Sequence, residues 1–509
     1  MTQVSYRANL NAASYPFLSE NQGRSVIVRG QDGNYIPNVT SQEDKDKAGI
    51  PQMYYCHNVM PVEDGMQSVG YNLLVDYVGL TESGFNETLL LRDNLGNKAY
   101  LAKMTDTRNY VYLPVSNTWV ATTSIPSSAG AFVTTAFING ITYIYFSGIG
   151  CYKYNWSTNT LDTVTLTGLT AANVIGITAA AGYMIAWTKS SVAWSSLIDP
   201  TDFTPSLSTG AGGGNVQQVK GNITFCFPNM LGFIIYSEDN AVAALASNNT
   251  RYPFNYREIV GSGGLRDNTL IAYDADTADH YVYTTDGMQL VTSKSAQMVF
   301  PAVTDFVAGS YFEDFDESSL TFSRTVLTSN MKKKVTVVSS RYLIISYGIS
   351  SFTHALVYDT SQKRWGKLKI DHVDCFEFAT LDPAVVEAPK KAVCFLQANG
   401  VIMQVDFSVG STVSSGILVL GKYQYVRTRT LQLDTVELEN IRANNTFALY
   451  DVPNLDGKAG VAIAGTLISN SNNTRKYGFR SVAINHSLIF KGGFYVVSLQ
   501  LDFNVHGRR

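Results

Sequence analysis

The sequence predicts an all-β chain, a β-propeller of about six or seven blades standing on a small antiparallel β base formed by the two chain ends. Three observations predict it. Short apolar and aromatic runs bounded by Ser, Asn, Asp and Gly recur along the chain, and such runs are strand signals with a turn mechanism. They recur roughly every 40 to 60 residues, the length of one four-stranded blade with loop insertions. No segment carries the apolar stripe of an amphipathic helix of three turns. A string of β-sandwiches would also place hairpins at regular spacing. A closed ring differs in leaving no long strand edge exposed.

The pattern is clearest between Gly182 and Gly264. The run Ala181 to Trp187 is closed by Thr188-Lys189-Ser190-Ser191 and resumed by Val192-Ala193-Trp194-Ser195. Leu231 to Tyr236 repeats the device, with Ser237-Glu238-Asp239-Asn240 as turn and Ala241 to Leu245 as return. Earlier copies begin at Thr88-Leu89-Leu90-Leu91, Tyr110-Val111-Tyr112-Leu113 and Asn139-Gly140-Ile141-Thr142. Later ones begin at His280-Tyr281-Val282-Tyr283, Tyr342-Leu343-Ile344-Ile345 and Lys391-Ala392-Val393-Cys394. Leu356 to Leu368 shows what an outer hairpin needs, a polar turn between an aromatic strand end and the buried Trp365. The propeller is assigned to residues 81–410.

The flanks read differently. Residues 1–80 are punctuated by Pro and Gly, and only Ser25 to Arg29 is a clear strand. Gln52 to Pro61 concentrates apolar and aromatic residues in a piece too short to bury them alone, so it must pack on another part of this chain or on a neighbour. Residues 411–509 break the propeller period. Tyr423 to Leu433 alternates strictly, which predicts one strand with Gln424, Val426, Thr428 and Thr430 on one face and Tyr423, Tyr425, Arg427 and Arg429 on the other. With Ser481 to Ile484 and Tyr495 to Phe503 it predicts a C-terminal antiparallel sheet domain, against which the N-terminal segment packs.

At 509 residues the chain is long enough to bury more than one core. Hydrophobic residues are 45% and charged residues only 16%, which places it among globular proteins and outside the disordered class. A formal charge of -3 gives no global attraction to nucleic acid. The charge is uneven, with 11 Lys and Arg against 6 Asp and Glu in residues 416–509. Five scattered cysteines, without CxxC spacing, read as buried free thiols rather than a zinc site or disulfide framework. The opening residues lack the pattern of a signal peptide, so synthesis in a cytosol is expected, and no apolar run of about 18 residues predicts a membrane span.

Catalytic constellations were sought at every cluster, and no catalytic, cofactor-binding or metal site is expected. Ser208 to Asn215 is Gly-rich but lacks the Lys and helix of a phosphate loop, and reads as a flexible inter-strand loop. The six His show no ligand spacing. Asp274 to Asp279 lacks the Gly and distal Glu of a calcium loop and reads as a solvated turn. Glu313-Asp314-Phe315-Asp316-Glu317 reads as a repulsive acidic loop, although a glycosidase pair of carboxylates is the sharper alternative. Lys332-Lys333-Lys334 is a cationic cluster suited to touching phosphate or protecting a strand edge.

Three phrases carry a resemblance. Asn58-Val59-Met60-Pro61, the stretch Trp194 to Phe203 followed by Gly232 to Ser237, and the terminal Gly507-Arg508-Arg509 resemble the tail tubular nozzle and packaged-DNA stabilisation (tail hub) proteins of short-tailed bacteriophages. The resemblance implies a structural virion protein of the tail, made in the host cytoplasm, that forms a six-fold ring below the portal and adaptor. Such a ring continues the channel for non-specific passage of double-stranded DNA, retains packaged DNA and carries fibres or spikes. Arg427, Arg429, Arg508 and Arg509 are then the candidate assembly contacts, and Lys332, Lys333 and Lys334 the candidate DNA-proximal loop. Deleting residues 1–80 is expected to abolish ring formation while leaving the propeller folded. A glycan-binding or glycan-cleaving propeller on a virion surface is the alternative.

Overall fold

In the computed structural model, the residues described are 2–9, 26–27, 53–62, 65–75, 84–116, 118–247, 249, 251–274, 277–284, 286–300, 311–316, 318–326, 331–379, 391–406, 416–424, 430–439, 446–453, 461–471, 474–484 and 486–506. Type I′ geometry sets the hairpins. Asn139 and Gly140 (φ 51° and 74°) and Ala181 and Gly182 (φ 52° and 82°) occupy two-residue turns whose central positions both need positive φ. Each turn reverses the chain between the first and second strands of a four-stranded antiparallel sheet.

Seven such sheets follow one another among the described residues, and their first strands are Phe85–Arg92, Val133–Ile138, Gly176–Ala180, Ile223–Asn229, Ile271–Asp274, Lys332–Val338 and Asp374–Ala379. These are the innermost strands of blades one to seven of a β-propeller. The hairpins expected at Tyr183–Trp187 with Ser191–Trp194, and at Gly232–Ser237 with Ala241–Ala246, are the middle strands of blades three and four. Apolar side chains fill the wedges between blades: Ala136, Tyr143, Ile177 and Met184 pack between blades two and three, and Val192, Phe225, Ile235 and Phe254 between three and four.

The ring is closed by the N-terminal segment. Blade seven takes only three strands from its own stretch, Asp374–Ala379, Lys391–Leu396 and Ile402–Asp406, and its fourth is Gly70–Val75. Blade six is also extended beyond its own fourth strand, Arg364–His372, by Val59–Pro61, Met66–Ser68 and the C-terminal Tyr495–Val496. Residues 1–80, expected to be irregular and to stop short of the propeller, thus supply short strands to it. The apolar run noted at Gln52 to Pro61 finds its partners within this chain, and Cys56 and Val59 are fully buried.

Both chain ends build the base, which has two sheets. In one, Thr2–Asn9, Ser498–His506, Thr430–Glu439, Thr474–Ala483 and Thr466–Asn470 lie in that order. In the other, Gly416–Gln424 pairs with His486–Gly493, which pairs with Thr446–Pro453, and Met53–His57 also joins Gly416–Gln424. One pairing departs from the antiparallel expectation, because Val26–Ile27 runs parallel to Tyr423-Gln424. Leu418, Leu420, Leu488 and Phe490 of one sheet meet Leu431, Leu433, Val436, Leu499 and Phe503 of the other in a core shared with blade six.

The strand expected across Tyr423 to Leu433 is instead parts of two strands, Gly416–Gln424 in one sheet of the base and Thr430–Glu439 in the other, with residues 425–429 outside the described set. A register irregularity between Leu433 and Thr435 then shifts the inward set from Leu431 and Leu433 to Val436 and Leu438.

Candidate functional site

The inner strands of blades one to six, with Val373 at the start of blade seven, line a cavity of about 800 Å³ at the centre of the propeller. Its wall is largely apolar, with Phe132, Phe137, Phe227 and Phe352 among its residues. Lys332, Lys333 and Lys334 enter it from blade six, and Glu87 from blade one.

The three lysines are not a loop. They open the innermost strand of blade six, paired in register with Gly348, Tyr347 and Ser346, and alternation gives each a different environment. Lys332 is exposed. Lys333 stands 4.6 Å from the centroid of the Tyr283 ring, and burial holds its ammonium below the usual lysine range. Lys334 Nζ lies 2.7 Å from Asp374 Oδ1 of blade seven. Burial alone would lower its pKa, but Asp374 and Glu87 outweigh that and raise it above the ordinary value.

Asp374 is the hub of this seam. Its Oδ2 accepts from Thr88 N (2.7 Å) and Thr88 Oγ1 (2.9 Å) of blade one, and its Oδ1 accepts from Cys375 N (2.8 Å) as well as Lys334. One carboxylate therefore joins blades six, seven and one where the ring closes. Glu87 stands beside it, its carboxyl raised by burial and by Asp374 against the opposing pull of Lys334 and Lys103. Of this group only Lys334 stands out in the sequence, as part of the Lys332-Lys333-Lys334 cluster; Thr88 and Asp374 lie far from it along the chain and sit in no recognisable motif.

Three histidines, His280, His372 and His486, have both ring nitrogens in hydrogen bonds. His280 bridges Tyr236 Oη and the Pro228 carbonyl, each at 2.7 Å, and His372 bridges Ser346 Oγ (2.7 Å) and the Ile370 carbonyl (2.8 Å). Burial lowers both to about 4, in spite of the stabilising backbone carbonyls. In the base, His486 Nδ1 lies 2.8 Å from Asp451 Oδ2 and Nε2 lies 3.0 Å from the Leu431 carbonyl, while Ser481 Oγ donates to the same carboxylate. That arrangement has the members of a hydrolytic triad in the wrong order: the serine is on the carboxylate and the distal nitrogen is on a backbone oxygen, so no nucleophile is activated.

Glu313 and Asp316 lie on a strand, Tyr311–Asp316, and not in a loop; Glu313 is in register with Arg324 across the hairpin. Asp316 accepts from Ser318 N and Oγ and from Ser319 Oγ, which hold its carboxyl well below the usual range. A carboxyl kept ionised in this way is unsuited to act as a general acid. The Gly-rich stretch is likewise ordered, for Gly212–Asn215 is the fourth strand of blade three. A Cβ on Gly213 would stand 2.8 Å from the Val192 carbonyl oxygen, so the glycine there permits close strand approach. Asp274 and Asp279 face each other across the hairpin of blade five, whose residues 275–276 lie outside the described set.

All five cysteines are buried and free, and burial pushes thiols such as Cys56 and Cys375 up to about 12. Among the described residues, no group of three or more His, Cys, Asp or Glu is placed to hold a metal ion, and no helix is long and apolar enough to cross a membrane. Arg427, Arg429, Arg508 and Arg509 lie outside the described residues.

The fold is that of a β-propeller carried on a two-sheet base. No family model matches the chain, and no curated protein matches it. Among solved structures it is similar to the extracellular domain of a hybrid two-component system from B. thetaiotaomicron, at 10% identity and a TM-score of 0.41 over 92% of this chain, which spans 66% of that one's length. It is also similar to the WD40 β-propeller domain of Doa1, at 8% identity and a TM-score of 0.39, covering 67% of this chain and 98% of that one.

Proposed function

We propose that the chain is a structural virion protein, the tail nozzle or hub component of a short-tailed bacteriophage, and that copies of it form a six-fold ring below the portal and adaptor. The reading starts from the phrases at Asn58 to Pro61, Trp194 to Phe203 and Gly507 to Arg509. The observation that carries it furthest is the base: both chain ends are consumed in one sandwich, with Thr2 opposite Val505, and the propeller is inserted between them. A propeller held at both ends by such a base is suited to act with it as one rigid unit of a ring.

The propeller axis is not the conduit in this proposal. An α-helix is about 10–12 Å across with its side chains, yet it fits within a single groove of a duplex. A duplex therefore overfills a cavity of about 800 Å³, and DNA would pass between copies. Lys332 would then face a small ligand or solvent rather than the passing duplex, while Lys333 stays over the Tyr283 ring and Lys334 stays paired with Asp374. Retention of DNA without stalling its ejection asks for few phosphate contacts, since each adds affinity and salt dependence, and a chain with 38 Lys and Arg against 41 Asp and Glu suits that.

Reconstitution with portal and adaptor proteins, followed by electron microscopy, tests the assignment. A closed ring that prolongs the portal channel is the expected outcome; a chain that never joins those proteins removes it. The glycan-binding alternative is favoured by one feature, the axial cavity with phenylalanines, Glu87 and lysines in its wall. Binding of a soluble oligosaccharide that is abolished by Lys332→Ala and Glu87→Gln would support that alternative.

A further inference from the structure

We infer that the long loop of blade three, residues 195–211, docks on the outer face of the base hairpin Thr466–Asn470/Thr474–Ala483 of a second copy of this chain, head to tail. The inference rests on the reading that copies assemble into a ring, and it names the surfaces they use.

The loop is unlike an ordinary connection. It joins the third and fourth strands of a blade with 17 residues, yet it is held in one shape. Phe203 is buried between blades two and three, Phe203 N bonds the Thr167 carbonyl at 2.8 Å, and Trp194 Nε1 bonds the Gly210 carbonyl at 2.9 Å. Ser196 Oγ accepts from Ile198 N and Asp199 N, and Asp199 and Asp202 close their own turns onto Thr201 and Thr204. A loop so ordered nevertheless presents Ile198 at 81% exposure and Leu207 at 75%, with Leu197 beside them. A backbone already held in one shape lowers the entropic cost of a later contact.

The hairpin of the base is a second surface of the same kind. Thr466–Asn470 is the last strand of its sheet among the described residues, and every residue of it is exposed. Ile468 lies over Gly478, where an added Cβ would come within 2.8 Å of its Cδ1, and Ile468 and Val482 are 59% and 54% exposed.

Charge assigns the two surfaces to each other. Residues 195–211 contain Asp199 and Asp202 and no Lys or Arg. Residues 461–484 contain Arg475, Lys476 and Arg480 and no Asp or Glu; Lys476 is paired with Glu437 of the adjacent strand at 3.6 Å, so Arg475 and Arg480 carry the net positive charge of this surface. Opposite signs around apolar centres favour this pairing over either surface meeting its own copy. Within one chain the two surfaces belong to separate parts of the fold: the base is fused to blade six, three blades away from blade three in a ring of seven. A contact between two different surfaces of one body is heterologous and head-to-tail, and it gives a ring where the rotation it imposes closes.

Sedimentation velocity of the full chain over a concentration series is the test. The natural chain should self-associate weakly, its sedimentation coefficient rising with concentration. Ile198→Asp with Leu207→Asp should remain monomeric, as should Ile468→Asp with Val482→Asp, each with unchanged circular dichroism and melting. Mixed, the two variants should form a 1:1 dimer and nothing larger, because one intact surface survives on each. Asp199→Arg alone should weaken association at least tenfold, and Asp199→Arg combined with Arg480→Asp should restore it. A natural chain monomeric at every concentration, or variants of only one surface affecting association, would overturn the contact. Ring formation on portal and adaptor is read separately, so either idea can fail alone.

Discussion

Tyr236 Oη lies 2.7 Å from His280 Nδ1, and the bond ties the second strand of blade four to the second strand of blade five in a fully buried position. The Pro228 carbonyl at His280 Nε2 can only accept. Nε2 therefore carries the proton in the neutral ring, Nδ1 accepts, and the tyrosine hydroxyl donates.

The first prediction follows from this pair and from His372. Both histidines are lowered to about 4 by burial, against about 6.5 in an unfolded chain. Between those values the unfolded chain binds more protons, so stability rises with pH and is lost as pH falls from 6.5 through 4. Each histidine should contribute about 3 kcal/mol to that loss. Denaturant unfolding at pH 7 and pH 4.5 measures it, and the histidine Cε1 proton signals supply the check. Two signals should stay neutral down to pH 5; if all titrate near 6.5, the burial argument fails.

Lys334→Met should cost about 3–5 kcal/mol, because it leaves Asp374 buried without its cation at the closing seam. Lys334→Met together with Asp374→Leu should recover much of the loss. In the natural chain the raised lysine keeps its contribution below about pH 10.4 and yields it only as pH climbs through the higher folded value. Melting of the three proteins from pH 7 to 11 measures both effects.

In the fourth strand of blade three, Gly213→Ala should destabilise the chain by about 1–3 kcal/mol, since its Cβ would meet the backbone of Val192 and Ala193 within 3 Å. Gly214→Ala, one residue on, meets nothing within 4 Å and should be close to neutral. Equal effects at both positions would remove the strand-approach argument.

Deleting residues 1–80 should unfold or open the propeller, contrary to what the sequence suggested, because the deletion removes Gly70–Val75 from blade seven and two strands from blade six. Deleting residues 1–9 removes only an edge strand of the base and should leave the ring closed. Limited proteolysis distinguishes them: a resistant core persisting after loss of residues 1–80 would show that blade seven closes without that strand.

The legible part of the chain was the local part. Trp187 to Val192 and Tyr236 to Ala241 were readable as hairpins because a strand, its turn and its partner are neighbours in sequence. Gly70–Val75 was not, since its partner Ile402–Asp406 is more than 300 residues away and its own residues, Gly-Tyr-Asn-Leu-Leu-Val, are no stronger a strand signal than many loops. The acidic run at Glu313 misled for a related reason. Charge argued for a loop, but a cross-strand neighbour such as Arg324 is invisible until the hairpin is paired. At the seam, Asp374 carried no signal because its function is defined by three residues from two other blades and its own neighbour Cys375.

The strand that closes the ring also sets a timetable for synthesis. Gly70–Val75 leaves the ribosome early, but the strand it must join, Ile402–Asp406, emerges more than 300 residues later. At about 5–20 residues per second, the early strand waits for tens of seconds with its backbone groups unpaired. Thr2–Asn9 waits longer still, for Ser498–His506. Blades one to four can fold as they appear, while closure must await Ile402–Asp406 and completion of the base must await Ser498–His506. The newborn chain therefore spends most of its synthesis as an open crescent with a loose leading end, the state in which a holding chaperone would have most to grip.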